Sequence, residues 1–240
     1  MARKGEQGSE DDNRPVALVT GGGRRIGAAI VRELARGGFR VVLTYRESRD
    51  AAENLASETG GAALPLDLLR PETFAAFVAR FRQAFCRLDL LVHNAAVFTR
   101  TPVGTVTAAA WDDVFAVNLR APFLLTQACL PLLSESPGRP CIVFLGDAGA
   151  TRLWPSYIPY CLSKVAVEAE ARALRKTLGP AVRVGLVRPG LALRAEDFPP
   201  DRWAALRARV VPRLDSPEKV ARAVASFVKR RRADSHILKI

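Results

Sequence analysis

Tyr160 and Lys164 are separated by three residues within a stretch that the sequence predicts to be helical. Side chains four positions apart on a helix share one face, so the phenol and the ammonium are expected to be neighbours. An ammonium beside a phenol lowers the pKa of the phenol, which would let Tyr160 give or take a proton near neutral pH. Such a pair also occurs by chance on protein surfaces, so its interpretation depends on the rest of the sequence.

A glycine-rich segment with the sequence TGGGRRIG, residues 20–27, lies between a predicted strand and a predicted helix. Glycines allow a tight turn and a close approach to a pyrophosphate, and the start of a helix favours its negative charge. Because the segment lies in the first strand–helix unit, it predicts a dinucleotide site rather than an empty turn. Lys164 could then also hold the ribose of a nicotinamide. The residues predicted to bind the cofactor here are Gly21, Arg24, Arg25, Ile26 and Gly27.

The end of the second predicted strand bears on the choice of cofactor. Sites that prefer NAD usually place an acidic residue against the ribose hydroxyls at this point. In this chain Tyr45 is followed by Arg46, Glu47 and Ser48. Arg46 and Ser48 offer a cation and a hydroxyl to a 2′-phosphate, so we predict NADPH. A shift of one residue would instead bring Glu47 to the ribose and favour NAD.

Predicted strands and helices alternate along the chain. Continuous apolar runs such as VALV and IVFL suit strands covered by helices on both faces, so we predict an α/β fold with one Rossmann-like, doubly wound parallel sheet. Asp67 and Leu68 follow the third strand and are placed to meet an adenine ring, although Asp67 could equally cap the next helix. Residues 190–215 suggest a loop and a short helix over the substrate. Strands are expected at residues 16–20, 40–45, 62–66, 88–93, 141–145 and 182–187, and helices at 25–36, 49–58, from 71, at 108–133 and after 157.

Length and composition limit the class of protein. The 240 residues, 49% of them hydrophobic, fit one domain, expected at residues 15–240 after a polar, disordered tail at residues 1–14. No run approaches the roughly 18 apolar residues of a membrane span, and the first residues contain no signal segment, so a cytoplasmic protein without a membrane partner is expected. The four cysteines form no CxxC pair and predict free thiols. We expect no metal among the site residues.

The formal net charge is +12. It is compatible with attraction to nucleic acid, to membrane surfaces or to anionic ligands. The arginines are spread through the predicted helices, which favours solvated helix faces. Nucleic acid is therefore not expected as a partner, although the positive field would favour a phosphate-rich cofactor.

Five segments together resemble the signatures of short-chain dehydrogenases/reductases. They are TGGGRRIG, HNAA at residues 93–96, VNL at 117–119, YCLSK at 160–164 and RPG at 188–190. The resemblance covers almost the whole chain from residue 15 and implies an oxidoreductase with a nicotinamide cofactor and a small-molecule substrate.

The resemblance also implies roles for single residues and an assembly. Asn94 would support the sheet beside the cofactor, and Asn118 would hold a water in a proton relay to Lys164. The family is usually tetrameric through the long helices at residues 108–133 and 157–179, so a homotetramer is expected. The residues that the resemblance adds to the cofactor site are Asn94, Ala95, Tyr160, Lys164, Pro189 and Gly190.

Asp147 departs from the common family pattern. It lies 13 residues before Tyr160, where most of the family carries a serine that hydrogen-bonds a substrate carbonyl. A carboxylate there would repel the developing oxyanion of a ketone unless the carboxylate were protonated. It suits a substrate with N–H donors or a protonatable ring nitrogen, such as a fused pyrimidine with a C=N bond to be reduced.

The same aspartate occurs in pteridine reductases, and other residues resemble that subfamily. They include Arg25 in the glycine segment and Phe98 just after Asn94-Ala95-Ala96. In the subfamily an aromatic ring stacks on the flat pterin, a role that fits Phe98, although Phe98 could also be a core residue. Leu191 and Trp203 resemble its substrate loop. Ala96 replaces a common serine, and His93, at the end of a buried strand, is interpreted as a structural histidine.

The leading hypothesis is an NADPH-dependent reductase similar to pteridine reductases. Hydride would pass to a C=N carbon of a dihydropterin or a dihydrofolate-like ring, and Tyr160, Asp147 and Lys164 would supply the proton. The first alternative is a short-chain reductase of a ketone or an imine in a biosynthetic pathway, with a protonated Asp147 replacing serine. A second alternative is a non-catalytic NADPH-binding sensor.

Overall fold

A parallel sheet of seven strands organises the described part of the chain. In a computed structural model the strand order is β3-β2-β1-β4-β5-β6-β7, and all neighbouring strands are parallel. The structure describes residues 13–194, 198, 200–201, 203–205, 215–230 and 237–239. The strands are β1 (Val16–Val19), β2 (Arg40–Tyr45), β3 (Ala62–Pro65), β4 (Leu90–His93), β5 (Cys141–Leu145), β6 (Arg183–Arg188) and β7 (Ile237–Lys239).

Helices cover both faces of this sheet. One face carries α3, α5 and α6, and the other carries α1, α2 and α7. The predicted α/β fold with a doubly wound parallel sheet is therefore confirmed. The helices are α1 (Arg25–Arg36), α2 (Arg49–Thr59), α3 (Phe74–Phe85), α4 (Ala108–Phe115), α5 (Ala121–Ser134), α6 (Ile158–Leu178) and α7 (Pro217–Lys229), with a π-helical turn at Ala116–Arg120 and 3₁₀ turns at Pro71–Thr73 and Ala150–Arg152.

The core consists of two apolar layers, one on each side of the sheet. Alternate residues of a strand point to opposite faces, so Leu18 of β1 packs in one layer while Ala17 and Val19 pack in the other. Both layers are closed by helices, so the strand positions on both faces are buried and the central strands read as unbroken apolar runs. Four phenylalanines of α3 close one layer, and Phe227 of α7 helps to close the other.

The structure differs from the sequence prediction at several elements. The predicted helix 108–133 is broken into α4, the π-helical turn and α5. Neither α7 nor β7 was predicted; the three residues of β7 are too few to give a strand pattern. Parts of two predictions lie outside the described residues: residues 1–12 of the predicted tail and most of residues 195–214.

The helical run Ala108–Ser134 is the one described segment long and apolar enough, by length and composition alone, to cross a membrane. Within the fold 56% of its most apolar window is buried. Leu125 and Leu132 of this run lie in the core layer beneath the sheet. Its composition is therefore explained by packing inside the protein.

Candidate active site

A cleft with a volume of about 730 Å³ opens at the carboxyl ends of the strands. The chain leaves β1 toward β2 on one side and returns to β4 on the other, and such a reversal leaves a crevice at that edge of a sheet. Every sequence-predicted site residue except Asn118 lines this cleft. The structure therefore brings together segments that are up to 182 residues apart in the chain, from Gly21 to Trp203.

The glycine segment forms a cradle that has no room for side chains. Gly21 adopts a positive φ of 61°, which favours glycine, and a Cβ there would lie 3.0 Å from the Cβ of Ala95. A Cβ on Gly27 would lie 2.3 Å from the carbonyl oxygen of Gly21. Asn94 Nδ2 donates to the carbonyl oxygens of Thr20, at 2.9 Å, and Gly21, at 3.0 Å. Gly21 and Gly27 therefore pack closely within the protein, and both line the cleft next to the start of α1, where a helix N-terminus favours a bound anion.

Three predicted cofactor residues next to this cradle have local partners. Arg25 Nη2 donates to the carbonyl oxygen of Arg194 at 2.7 Å, which links the glycine segment to the predicted substrate loop. Arg46 pairs with Glu47 at 2.5 Å on the exposed end of β2. Asp67 Oδ1 accepts from the backbone N–H of Leu69 at 3.0 Å, so the carboxylate caps its own turn while it lines the cleft.

Tyr160, Lys164 and Asp147 meet at the inner end of the cleft. Tyr160 Oη donates to Asp147 Oδ2 at 2.7 Å, and the backbone N–H of Gly149 donates to Asp147 Oδ1 at 2.6 Å. Lys164 Nζ donates to the carbonyl oxygen of Leu145 at 2.7 Å. The tyrosine and the lysine lie on one face of α6, as their spacing predicts.

The electrostatics of this group correct one expectation from the sequence. Burial, followed by the Asp147 carboxylate, raises the pKa of Tyr160 well above 10, whereas Lys164 was expected to lower it. Burial lowers the pKa of Lys164 to about 8, which Asp147 opposes, and burial raises the pKa of Asp147. Because desolvation is the largest effect on all three groups, Tyr160 is a protonated donor in this arrangement.

Comparison with known proteins agrees with this geometry. Residues 22–233 match the family described as enoyl-(acyl carrier protein) reductase. The chain belongs to the short-chain dehydrogenase/reductase family. A Streptomyces violaceoruber protein named as ketoacyl reductase 2 of the granaticin polyketide synthase is 32% identical over 229 residues, which cover 90% of each chain. Versicolorin reductase 1 of Aspergillus parasiticus is 32% identical over 189 residues, 76% of this chain and 71% of that protein.

A solved structure shares the fold at full length. FolM alternative dihydrofolate reductase 1 from Brucella canis, in complex with NADP, superimposes with a TM-score of 0.85 at 29% identity, covering 94% of this chain and 91% of that chain. This short-chain dehydrogenase/reductase is thus similar to proteins named as a ketoacyl reductase, as versicolorin reductase 1 and as an alternative dihydrofolate reductase.

Asn118 lies in the π-helical turn between α4 and α5, behind the cleft of this short-chain dehydrogenase/reductase. Its Oδ1 accepts from the backbone N–H of Val97 at 2.7 Å, and its Nδ2 donates to Val97 O and Ser163 Oγ, both at 3.0 Å. π-Helical turns often occur at functional sites. In this structure the amide joins the segment after β4 to α6, and its place in a proton relay stays a prediction.

An aromatic wall, defined as Phe98, Trp154, Tyr157 and Tyr160, forms one side of the cleft. Phe98 stacks on Tyr157 with ring centroids 4.6 Å apart and an angle of 11°, and it meets Tyr160 edge-on at 4.4 Å. Sequence reasoning named Phe98 and Tyr160 but missed Trp154 and Tyr157. The available signal was the aromatic-rich stretch WPSYIPY that leads into Tyr160.

The remaining predicted substrate residues also belong to the lining of the cleft. Leu191 and Trp203 both line it, and Trp203 meets Phe198 edge-on at 6.2 Å. His93, by contrast, is a structural histidine as predicted. Its Nε2 lies 2.8 Å from Thr126 Oγ1, and burial lowers its pKa to about 3.

Proposed function

We propose that this chain is an NADPH-dependent reductase that acts on a C=N bond of a flat, nitrogen-containing ring such as a dihydropterin or a dihydrofolate-like compound. The observation that carries the proposal is Asp147, in contact with Tyr160 Oη at 2.7 Å, at a position where a serine would serve a ketone. The similarity to a protein named as an alternative dihydrofolate reductase supports the same reading.

The residues of the glycine cradle fit a dinucleotide. The glycine segment, which lines the cleft at Gly21 and Gly27 next to the start of α1, would hold the pyrophosphate. Arg46 and Ser48 would face the 2′-phosphate, and Lys164, which lines the cleft beside Tyr160, would meet the nicotinamide ribose. When bound, the nicotinamide would supply the hydride.

Asp147 and Tyr160 would deliver the proton. Tyr160 keeps its proton because burial and the Asp147 carboxylate raise its pKa well above 10. Burial also raises the pKa of Asp147, which is the direction that favours a protonated carboxyl. A protonated carboxyl donates to a ring nitrogen, while an ionised one accepts from ring N–H groups. Both forms therefore suit a pterin-like ring, whereas only the protonated form suits the oxyanion of a ketone.

The aromatic wall would select for flat rings. Phe98 and Trp154 line the cleft together with Asp147, and aromatic faces and edges pack favourably against a planar heterocycle. The polar group that orients the substrate thus lies against an apolar surface, which is the usual composition of a small-molecule site.

A second candidate function is the reduction of a ketone on a fused-ring compound. It is favoured by two relatives named as a ketoacyl reductase and as versicolorin reductase 1. Burial raises the pKa of Asp147, and a protonated Asp147 could take the place of the usual serine.

Turnover by the purified protein tests the proposal. NADPH oxidation would be measured with dihydrobiopterin, dihydrofolate, biopterin and several simple and fused-ring ketones, for the wild type and for Asp147→Ser. We expect turnover of the pterins that is largely lost in the variant. Activity confined to ketones, or activity that rises with serine, would overturn the pterin proposal. Salt-sensitive DNA binding with no turnover at all would instead support an NADPH-binding sensor.

A further inference from the structure

Trp154 and Gly149 fit each other beside Asp147. A Cβ placed on Gly149 would lie 2.7 Å from Trp154 Cζ2 and 3.1 Å from Asp147 Oδ1. The φ of Gly149 is −92°, which any residue can adopt. A glycine is therefore needed here because the indole lies so close, and not because of the backbone conformation.

The turn that contains Gly149 holds one side of Asp147. The backbone N–H of Gly149 donates to Oδ1 at 2.6 Å, while Oδ2 accepts from Tyr160 at 2.7 Å. A carboxylate fixed at both oxygens keeps one orientation. A change in the position of residue 149 would therefore move Asp147 relative to Tyr160.

The indole is itself fixed by neighbours on two sides. It meets the ring of Phe98 at 6.1 Å and 71°, and the ring of Tyr157 at 6.1 Å and 81°. It also packs against the buried cluster that contains Tyr160 and Cys161. These contacts hold the indole where it meets the turn at Gly149.

We propose that Trp154 is a positioning residue that, by packing on Gly149, holds the carboxyl of Asp147 against the hydroxyl of Tyr160. This proposal rests on the proposed function, since it concerns the pair that would protonate the substrate. Trp154 and Gly149 act together: a smaller side chain at 154 removes their contact, and a larger one at 149 clashes with the indole and displaces it.

Ionisation of Tyr160 tests the proposal without any substrate. The chain contains three tyrosines, so the phenolate absorbance of each protein minus that of the same protein with Tyr160→Phe isolates Tyr160. In Gly149→Ala and Trp154→Phe, Tyr160 should ionise at lower pH than in the wild type, because burial and the adjacent carboxylate are what raise its pKa. Gly138→Ala is the matched control, since a Cβ at Gly138 has no atom within 4 Å. An unchanged Tyr160 titration in both test variants would overturn the proposal.

Steady-state kinetics separate positioning from substrate contact. We expect kcat to fall on the order of 100-fold in Gly149→Ala, the usual effect of misplacing a catalytic group by about 1 Å, with a smaller change in KM. A rise in KM alone, with kcat unchanged, would show that Trp154 only contacts the substrate and would overturn the proposal. If the wild type reduces ketones and not pterins, the choice of substrate fails, while the tyrosine titration still decides the role of Trp154.

Discussion

Lys164 and Asp147 influence each other's charge at the inner end of the cleft. Lys164 is buried, and its Nζ is held by the carbonyl oxygen of Leu145 at 2.7 Å. Burial lowers its pKa to about 8, and the Asp147 carboxylate acts in the opposite direction. Its ammonium would therefore be lost within the pH range in which an enzyme can be assayed.

The pH dependence of turnover should follow this pKa. As the pH rises through about 8, Lys164 loses the positive charge that would stabilise an ionised Tyr160, so kcat should fall on the basic side. In Asp147→Asn the carboxylate that raises the pKa of Lys164 is gone, so the basic limb should move to lower pH. Profiles of kcat at saturating NADPH check this. A basic limb that stays in place or moves to higher pH would contradict it.

His93 should make stability sensitive to acid. Its pKa is about 3 in the folded protein against an ordinary value of 6.5, because its ring is buried beside Phe144. Between these values the unfolded chain binds a proton that the folded chain does not, so the free energy of unfolding falls as the pH falls, by up to about 1.4 kcal/mol per pH unit. Urea unfolding between pH 6.5 and 4 should therefore show a smaller loss for His93→Asn than for the wild type. Equal slopes for the two proteins would contradict this assignment.

At the scale of elements, α7 is anchored to β6 by Arg183 and Gly185. Arg183 donates to the carbonyl oxygens of Phe227, at 3.2 Å, and Val228, at 2.9 Å, at the C-terminal end of α7. A cation at that end also matches the helix dipole. Gly185 leaves room for the ring of Phe227, since a Cβ there would lie 2.5 Å from its Cζ.

Gly185→Ala should therefore overpack this contact. We expect a loss of about 1–3 kcal/mol in the free energy of unfolding, the usual cost of an added methyl group in a filled core. Gly138→Ala, which meets no neighbour, should have little effect. The loss in the free energy of unfolding of the double variant Gly185→Ala/Phe227→Leu should be smaller than the sum of the losses of the two single variants, because leucine is smaller than phenylalanine and leaves room for the added methyl group. Additive losses would show that the added methyl group at residue 185 does not clash with the ring of Phe227.

The sequence predicts those elements whose local pattern is strong. The glycine segment, the first six strands and the Tyr160–Lys164 face of α6 are examples, since turn chemistry and periodicity are local properties. The π-helical turn at Asn118 has no such pattern. Strand β7 forms by pairing with the edge of β6, and this contact depends on the fold. The predicted direction of the pKa shift of Tyr160 was wrong for a related reason. The sequence shows that Lys164 is near, but it does not show how deeply both groups are buried.

The site residues also fall into two groups, those that a local pattern predicts and those that depend on tertiary packing. Asp147 could be found from its spacing to Tyr160, because that spacing is a property of the chain. For Trp154 the sequence offered only the aromatic-rich stretch before Tyr160, since the contacts of Trp154 with Gly149 and Phe98 arise only when the loop after β5 folds against the segment after β4. Contacts of this kind depend on tertiary packing and carry no local signal.

At the scale of the whole molecule, two helices on one face of the sheet present apolar side chains to solvent. Phe123 of α5 is 46% exposed, and Leu162 and Val165 of α6 are 38% and 39% exposed. Exposed apolar surface often marks a protein–protein interface. Each copy of the chain carries a formal charge of +12, so electrostatic repulsion between copies opposes assembly. Added salt should screen this repulsion.

We therefore expect self-association through this face, consistent with the predicted homotetramer. In sedimentation experiments the wild type should be oligomeric, and its association should strengthen as salt is raised from low to moderate concentration. Val165→Glu and Phe123→Glu should shift the protein toward the monomer, because each buries a charge in the apolar contact. Ala51→Glu is the matched control, since Ala51 is exposed on α2 at the opposite face of the sheet and receives the same charge. A monomeric wild type, or an equal shift with all three variants, would show that α5 and α6 do not form the interface.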